Sequence, residues 1–227
     1  MRIGGLQKTS LIDFPGIVSC VIFTQGCNFR CPYCHNADLV LPELFGNLLT
    51  EKEIFLFLKE RVGRLQGVVL SGGEPTIQED IISFIEKIKE MKYRIKLDTN
   101  GSHPDVLKRL LKENLLDYVA MDIKTSLENY SKVVGCLVDV EKIKESIALI
   151  INSYVFYEFR TTCVKPLHQE KDFGEIFHMI QNARRFVAQK FEPSQKVLDK
   201  ELLQAEHFSQ EDIARIQESW ERISKGK

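Results

Sequence analysis

Six short runs of β-branched and aliphatic residues, each followed by a longer stretch with helical spacing, leave this chain few folds to adopt. The runs lie at residues 18–24, 67–70, 94–97, 118–122, 154–164 and 186–191. The spacing predicts helices over 51–62, 78–91, 104–113, 141–151, 171–183 and 210–224. Strands alternating with helices pair in parallel, because each helix is the crossover that returns the chain to the same edge. Thr50 and Glu53 fit the capping box in which each side chain satisfies an orphan backbone amide, which marks a helix start at residue 51. Between 81 and 88 the apolar residues recur at three- and four-residue steps, so one helix face lies on a sheet. Six such units suit an α/β incomplete barrel, and the pattern alone also allows a doubly wound sheet. In both, the chemistry belongs at the carboxyl ends of the strands. With 227 residues and 44% hydrophobic content, the chain can bury a substantial core. A single domain is expected over 1–227, with its core about 16–193 and a closing helix about 210–224. The charged tail from Arg222 to Lys227 is expected to fray.

Four distinctive segments follow the first four runs: Cys27, Cys31 and Cys34 in FTQGCNFRCPYCHN, then Gly72-Gly73-Glu74-Pro75, then Asp98-Thr99-Asn100-Gly101, then Asp122-Ile123-Lys124. Their shared position after strands makes them one candidate site. The spacing C-x3-C-x2-C offers three thiolates and withholds a fourth. A four-iron cluster takes four thiolates, so a triad leaves one iron open to a small molecule. The alternative is structural zinc, which wants four tetrahedral ligands; here His35 is adjacent to Cys34 and no second C-x2-C pair exists. Gly26 lets the loop turn after its strand and Pro32 stiffens it. Arg30 would either lower the thiol pKa values or be a solvated surface cation. No cysteine falls between Cys34 and Gly72, so one cluster is expected. Cys20 and Cys163 sit in apolar runs and read as buried structural thiols, while Cys136 stands apart.

Lysine and arginine number 31 against 32 acidic residues, so no bulk charge draws the chain to nucleic acid or to an anionic membrane. The longest apolar run, around residues 147–151, is too short to span a bilayer, and the start of the chain lacks the apolar stretch of a signal peptide. Six cysteines, three of them clustered, fit a reducing compartment better than a disulfide framework. A cytoplasmic location is expected.

With Tyr33 as the aromatic of C-x3-C-x-aromatic-C, and with the GGE, DTNG and MDIK segments downstream in order, the chain resembles the radical S-adenosylmethionine (SAM) enzymes, in particular the glycyl-radical-enzyme activases. The opening run from Gly4 to Asp13 and the stretch from Tyr157 to Thr162 are similar to the activating proteins of anaerobic ribonucleoside-triphosphate reductase. The resemblance implies a (β/α)6 fold, an open three-quarter TIM-like barrel. It implies one [4Fe-4S] cluster on Cys27, Cys31 and Cys34 whose free iron is chelated by SAM. Reductive cleavage of SAM would give methionine and a 5'-deoxyadenosyl radical that takes a hydrogen atom from a glycine of the partner enzyme. It further implies SAM contacts at Tyr33 and His35, whose backbone meets the adenine in relatives, and at Gly72, Gly73, Glu74, Asp98, Asn100, Asp122 and Lys124, with Glu74 and neighbouring carbonyls accepting from the SAM ammonium. Arg160 in its β-rich segment needs a partner, either the SAM carboxylate or a structural ion pair. Asp98, Thr99 and Asp122, with the Ala120 carbonyl, could hold a monovalent cation beside the SAM carboxylate. Two aspartates near that carboxylate would otherwise repel it, so a cation or Lys124 is required there. Reduced flavodoxin or ferredoxin is the implied electron donor. One departure stands out: pyruvate formate-lyase activases carry a histidine after the sixth strand, and here that stretch reads Phe191-Glu192-Pro193-Ser194. His103, His168, His178 and His207 read as surface or packing residues, and Trp220 as a packing anchor on the last helix. The alternatives are activation of another glycyl radical enzyme, radical modification of a small molecule, or a non-catalytic zinc scaffold.

Overall fold

In the computed structural model, which describes residues 1–225, seven strands form one sheet in chain order. These are β1 (Ile3–Ser10), β2 (Ser19–Thr24), β3 (Gly67–Gly72), β4 (Arg94–Thr99), β5 (Tyr118–Asp122), β6 (Phe156–Cys163) and β7 (Phe186–Lys190). Strands β2 to β7 are all parallel, whereas β1 runs antiparallel to β2. The strand order never reverses and β1 is not paired with β7, so the sheet is an open partial barrel. The doubly wound alternative is thereby excluded, since it needs a point where the order switches direction. The helices are α1 (Ala37–Val40), α2 (Glu51–Arg61), α3 (Ile81–Glu90), α4 (Pro104–Lys112), α5 (Tyr130–Val133), α6 (Val140–Ile151), α7 (Glu170–Met179) and α8 (Gln210–Lys225).

Strand alternation divides the sheet into two faces. On the helix side, Cys20, Ile22, Val68, Leu70, Ile95, Leu97, Val119 and Met121 join the main core and are almost inaccessible. On the inner side a small cluster of Val21, Val69, Tyr118 and Ala120 is closed at the bottom by Phe14, whose ring meets Tyr118 edge-on at 5.9 Å. Above this plug the inner face turns polar, with Lys96 and Asp98 on β4, Asp122 on β5, and Glu158 and Arg160 on β6. The same alternation that fills the bottom of the barrel therefore delivers charge to its top.

The Thr50–Glu53 capping box forms as expected: the Thr50 amide donates to Glu53 at 2.7 Å and the Glu53 amide to Thr50 Oγ1 at 3.2 Å. Trp220 is buried against Phe177 and Phe186. Cys20 and Cys163 are buried free thiols. Several boundaries differ. Strand β1 precedes the expected core, and the helix expected from residue 78 begins at Ile81. There the Gln78 side chain accepts from the Arg2 amide and donates to the Gln25 carbonyl, pinning the chain before the helix can start. The tail expected to fray at Arg222 continues as α8 to Lys225, and residues 226–227 lie outside the described residues. Among the described residues, no helix is long and apolar enough to cross a membrane.

Candidate functional site

The carboxyl ends of β2 to β6 surround an open-mouthed cleft of about 180 Å³. It is lined by Cys27, Cys31, Tyr33, Cys34, Gly72, Gly73, Glu74, Asp98, Thr99, Asn100, Asp122, Lys124 and Arg160. Every candidate site residue but one is thus brought together. The exception is His35, whose ring turns away to Phe191, 5.3 Å between centroids, and to Ser194 Oγ at 3.2 Å. His207 packs on the same Phe191 ring at 5.2 Å. The stretch that lacks a histidine in sequence is therefore flanked by two in space.

The cysteine loop is tied to the glycine segment through its backbone. The Gly73 amide donates to the Thr24 carbonyl at 2.9 Å, and the Glu74 amide to the Gly26 carbonyl at 2.9 Å. A Cβ on Gly73 would lie 1.9 Å from that same Gly26 oxygen, so only glycine permits the contact. What the glycines admit here is the cysteine loop itself. Arg30 donates to the Cys27 and Phe29 carbonyls at 2.7 and 2.8 Å, so it braces the loop from within and is not a free surface cation. The cation facing the thiols is Lys124. Burial pushes the Cys27 thiol up to about 12 and Cys31 up to about 11, with Lys124 pulling both back.

These surroundings fit an iron-sulfur cluster. Buried thiols of raised pKa are neutral until a metal displaces their protons, and the Phe29 amide already points at Cys27 Sγ, 3.4 Å away. The Tyr33 hydroxyl, on the cleft wall, is buried with no hydrogen-bond partner among the described residues. A structural zinc fits less well. Among the described residues no three His, Cys, Asp or Glu side chains converge as ligands of one ion, whereas a cluster spreads its thiolates over three irons.

Beside the thiols lies an ion-pair network. Asp122 and Arg160 are register partners on β5 and β6. Arg160 Nε donates to Asp122 Oδ1 at 2.8 Å, and Lys124 Nζ to Asp122 Oδ2 at 3.0 Å. Burial alone would raise the Asp122 carboxyl, but Arg160 and Lys124 outweigh it and hold the group well below the usual carboxylate range. Asp98 Oδ1 meets Lys96 Nζ at 2.5 Å and Arg160 Nη1 at 3.6 Å. The residues expected to hold a monovalent cation, Asp98, Thr99 and Asp122, line the same cleft. Both aspartates already face cations of the chain, and the Thr99 hydroxyl donates to Glu74 at 2.7 Å while accepting from the Gly101 amide at 3.1 Å.

Glu74 is buried, and its carboxylate accepts from the Thr76 amide and hydroxyl, the Thr99 hydroxyl and the Asn100 amide. Expected with neighbouring carbonyls to accept from the SAM ammonium, it also ties the ends of β3 and β4 together. Asn100 is similarly engaged: its side-chain amide donates to Asn28 of the cysteine loop at 2.9 Å, and its oxygen accepts from Ser102. Lys96, Asn28 and Ser102 carried no sequence signal of their own.

His168, expected at the surface or in packing, is a buried brace. Its Nε2 donates to the Lys124 carbonyl at 2.7 Å, and its Nδ1 lies 3.1 Å from the Val164 amide and 3.2 Å from the Val164 carbonyl, the amide contact being the one a neutral ring makes. Burial lowers its pKa, against its bonds to the Lys124 and Val164 backbone and the charge of Asp172. A base depressed in the folded state lends stability above its unfolded value of about 6.5. That stability is lost as pH falls from there toward the folded value. Urea midpoints should therefore drop more steeply below pH 6.5 in the wild type than in His168→Gln; parallel curves would assign the acid sensitivity to other groups.

Comparison with known proteins agrees with this geometry. A family model for the radical SAM superfamily matches residues 21–180. A Methanocaldococcus jannaschii protein, provisionally named a glycyl-radical enzyme activating enzyme, is 39% identical over 84% of this chain and 80% of its own length. A Thermococcus kodakarensis protein provisionally named GTP 3',8-cyclase is 31% identical over 73% of this chain and 52% of its own. The pyruvate formate-lyase-activating enzyme of Clostridium pasteurianum is 37% identical over 54% of this chain and 52% of its own. Among solved structures, SuiB of Streptococcus suis bound to its precursor peptide SuiA superposes with a TM-score of 0.70 at 16% identity, covering 91% of this chain and 46% of SuiB. That likeness concerns the fold.

Proposed function

Because the chain belongs to the radical SAM superfamily, and so is a radical SAM enzyme with a four-iron cluster and SAM as its cofactors, we propose that it is an activase that generates a glycyl radical on a partner enzyme. The observation that carries this reading is the cleft that unites three thiols, the glycine segment and the Asp122–Lys124–Arg160 network, together with the 39% identity to a protein named for that activity. When bound, the cluster and SAM supply a one-electron reductive cleavage at the sulfonium, chemistry that no side chain offers.

The chain's own residues would position and shield. Cys27, Cys31 and Cys34 would hold three irons, with Lys124 offsetting the charge of their thiolates. Arg160 and Lys124, fixed by Asp122, would meet the carboxylate of SAM, and the main chain at Gly72 and Gly73 its amino-acid end. No acid–base pair is required, since hydrogen-atom transfer depends on distance and on the exclusion of water. The open side between β1 and β7 would admit the partner's glycine loop, which then closes the cleft.

The partner we favour is anaerobic ribonucleoside-triphosphate reductase. Its activating proteins share the opening run, which here forms β1 and the turn after it, and the stretch from Tyr157 to Thr162, which forms the part of β6 carrying Arg160. Reduced flavodoxin or ferredoxin would deliver the electron. A second reading, radical modification of a small molecule, draws on the similarity to the cyclase. Anaerobic mixing of the loaded protein with SAM, a reductant and each candidate glycyl radical enzyme decides between them. The expected result is a glycyl radical resonance with the reductase. Turnover of a small molecule with no radical on any partner would sink the activase reading.

A further inference from the structure

Lys96 is a lysine almost without access to solvent: its side chain is 2% exposed, on the inner face of the sheet. A buried ammonium persists only beside a counter-charge. Two residues apart on β4, Lys96 and Asp98 share that face by strand alternation, and the ammonium lies 2.5 Å from Asp98 Oδ1 and 5.8 Å from the centroid of the Tyr118 ring. The site has two carboxylates at the ends of adjacent strands, and an anionic ligand group entering between them needs both neutralised. Arg160 and Lys124 occupy the two oxygens of Asp122. Asp98, by contrast, has Arg160 only at 3.6 Å, and its close partner is Lys96.

We infer that Lys96 is a positioning residue, the built-in counter-cation of Asp98, which makes SAM binding in this protein independent of any added monovalent ion. A tethered ammonium carries the charge of a monovalent metal ion at a fixed, high local concentration. It does not touch SAM; it acts through Asp98, whose orientation at the cleft wall it sets. The inference rests on SAM being the ligand of the cleft.

The test is equilibrium dialysis of SAM against the cluster-loaded protein at constant ionic strength in potassium, sodium or choline chloride. The wild type is expected to bind with the same Kd within about twofold in all three salts. Lys96→Met is expected to lose about tenfold or more in choline, where nothing replaces the ammonium, and to recover when potassium is supplied. A wild-type Kd that rises more than about fivefold in choline overturns the inference without recourse to any variant. Lys96→Met with wild-type affinity overturns it too, as does a loss equal in all three salts, which would assign Lys96 a purely structural role. Failure of SAM to bind in every salt would instead sink the SAM reading itself.

Discussion

Replacing any one of Cys27, Cys31 or Cys34 with alanine is expected to abolish cluster assembly and, with it, SAM cleavage. Each thiol lines the same cleft, and among the described residues no other cysteine lines it. The loss should exceed the about 100-fold that removal of an outer-shell partner costs a metal site, because a ligand itself is gone. Cys20→Ala and Cys163→Ala are the internal controls. Both thiols are buried in the main core and reach no part of the cleft, so these variants should load iron and sulfide normally. Iron and acid-labile sulfide analysis after anaerobic reconstitution separates the two groups. A full iron complement in any of the three cleft variants would remove that residue from the ligand set.

Asp122→Ala is expected to leave the cluster in place and to damage both SAM binding and stability. Its carboxylate is the acceptor shared by Arg160 and Lys124, whose side chains are only 15% and 16% exposed. Breaking a buried pair by removing one partner costs about 3–5 kcal/mol, since the charge left behind stays uncompensated. Here Lys124 loses its carboxylate while Arg160 keeps Asp98 at 3.6 Å, and the group sits in an open cleft, so the lower part of that range is expected in chemical denaturation. SAM affinity should fall about tenfold or more, because neither cation is then held where a carboxylate ligand would meet it. Asp122→Asn, which keeps the shape, should fall between wild type and alanine. Unaltered SAM affinity in the alanine variant would remove Asp122 from the site.

The parallel strands were legible because burial on both faces leaves short continuous apolar runs that stop at glycine or polar residues where the chemistry begins. Residues 118–122 match β5 at both ends. Strand β1 was hidden by its composition: Ile3–Ser10 contains two glycines and a polar second half, and only antiparallel pairing with β2 makes it a strand. The motif residues were legible for the same reason the strands were, since each motif follows a strand. What could not be read was the use each side chain makes of its neighbours. Glu74 and Thr99 sit in motifs that follow strands, yet their polar atoms are spent on each other across two strand ends. Strand alternation alone puts Lys96 and Asp98 on one face, but that this face is buried depends on the whole sheet. His168 is 44 residues from the Lys124 carbonyl it braces. Nothing local marks such a bond. The segment after β7 likewise docks on the cysteine loop, through the amides of Leu198 and Asp199 to the carbonyls of Cys34 and Pro32, and carries no pattern that says so.

The central claim is that the thiols of Cys27, Cys31 and Cys34 hold a four-iron cluster with one iron free to bind SAM. Electron paramagnetic resonance of the anaerobically reconstituted, dithionite-reduced protein, recorded with and without SAM, tests it most directly. A reduced four-iron signal whose shape shifts on addition of SAM is the predicted result. A reduced signal indifferent to SAM, or a protein that takes up zinc and no iron, would contradict it.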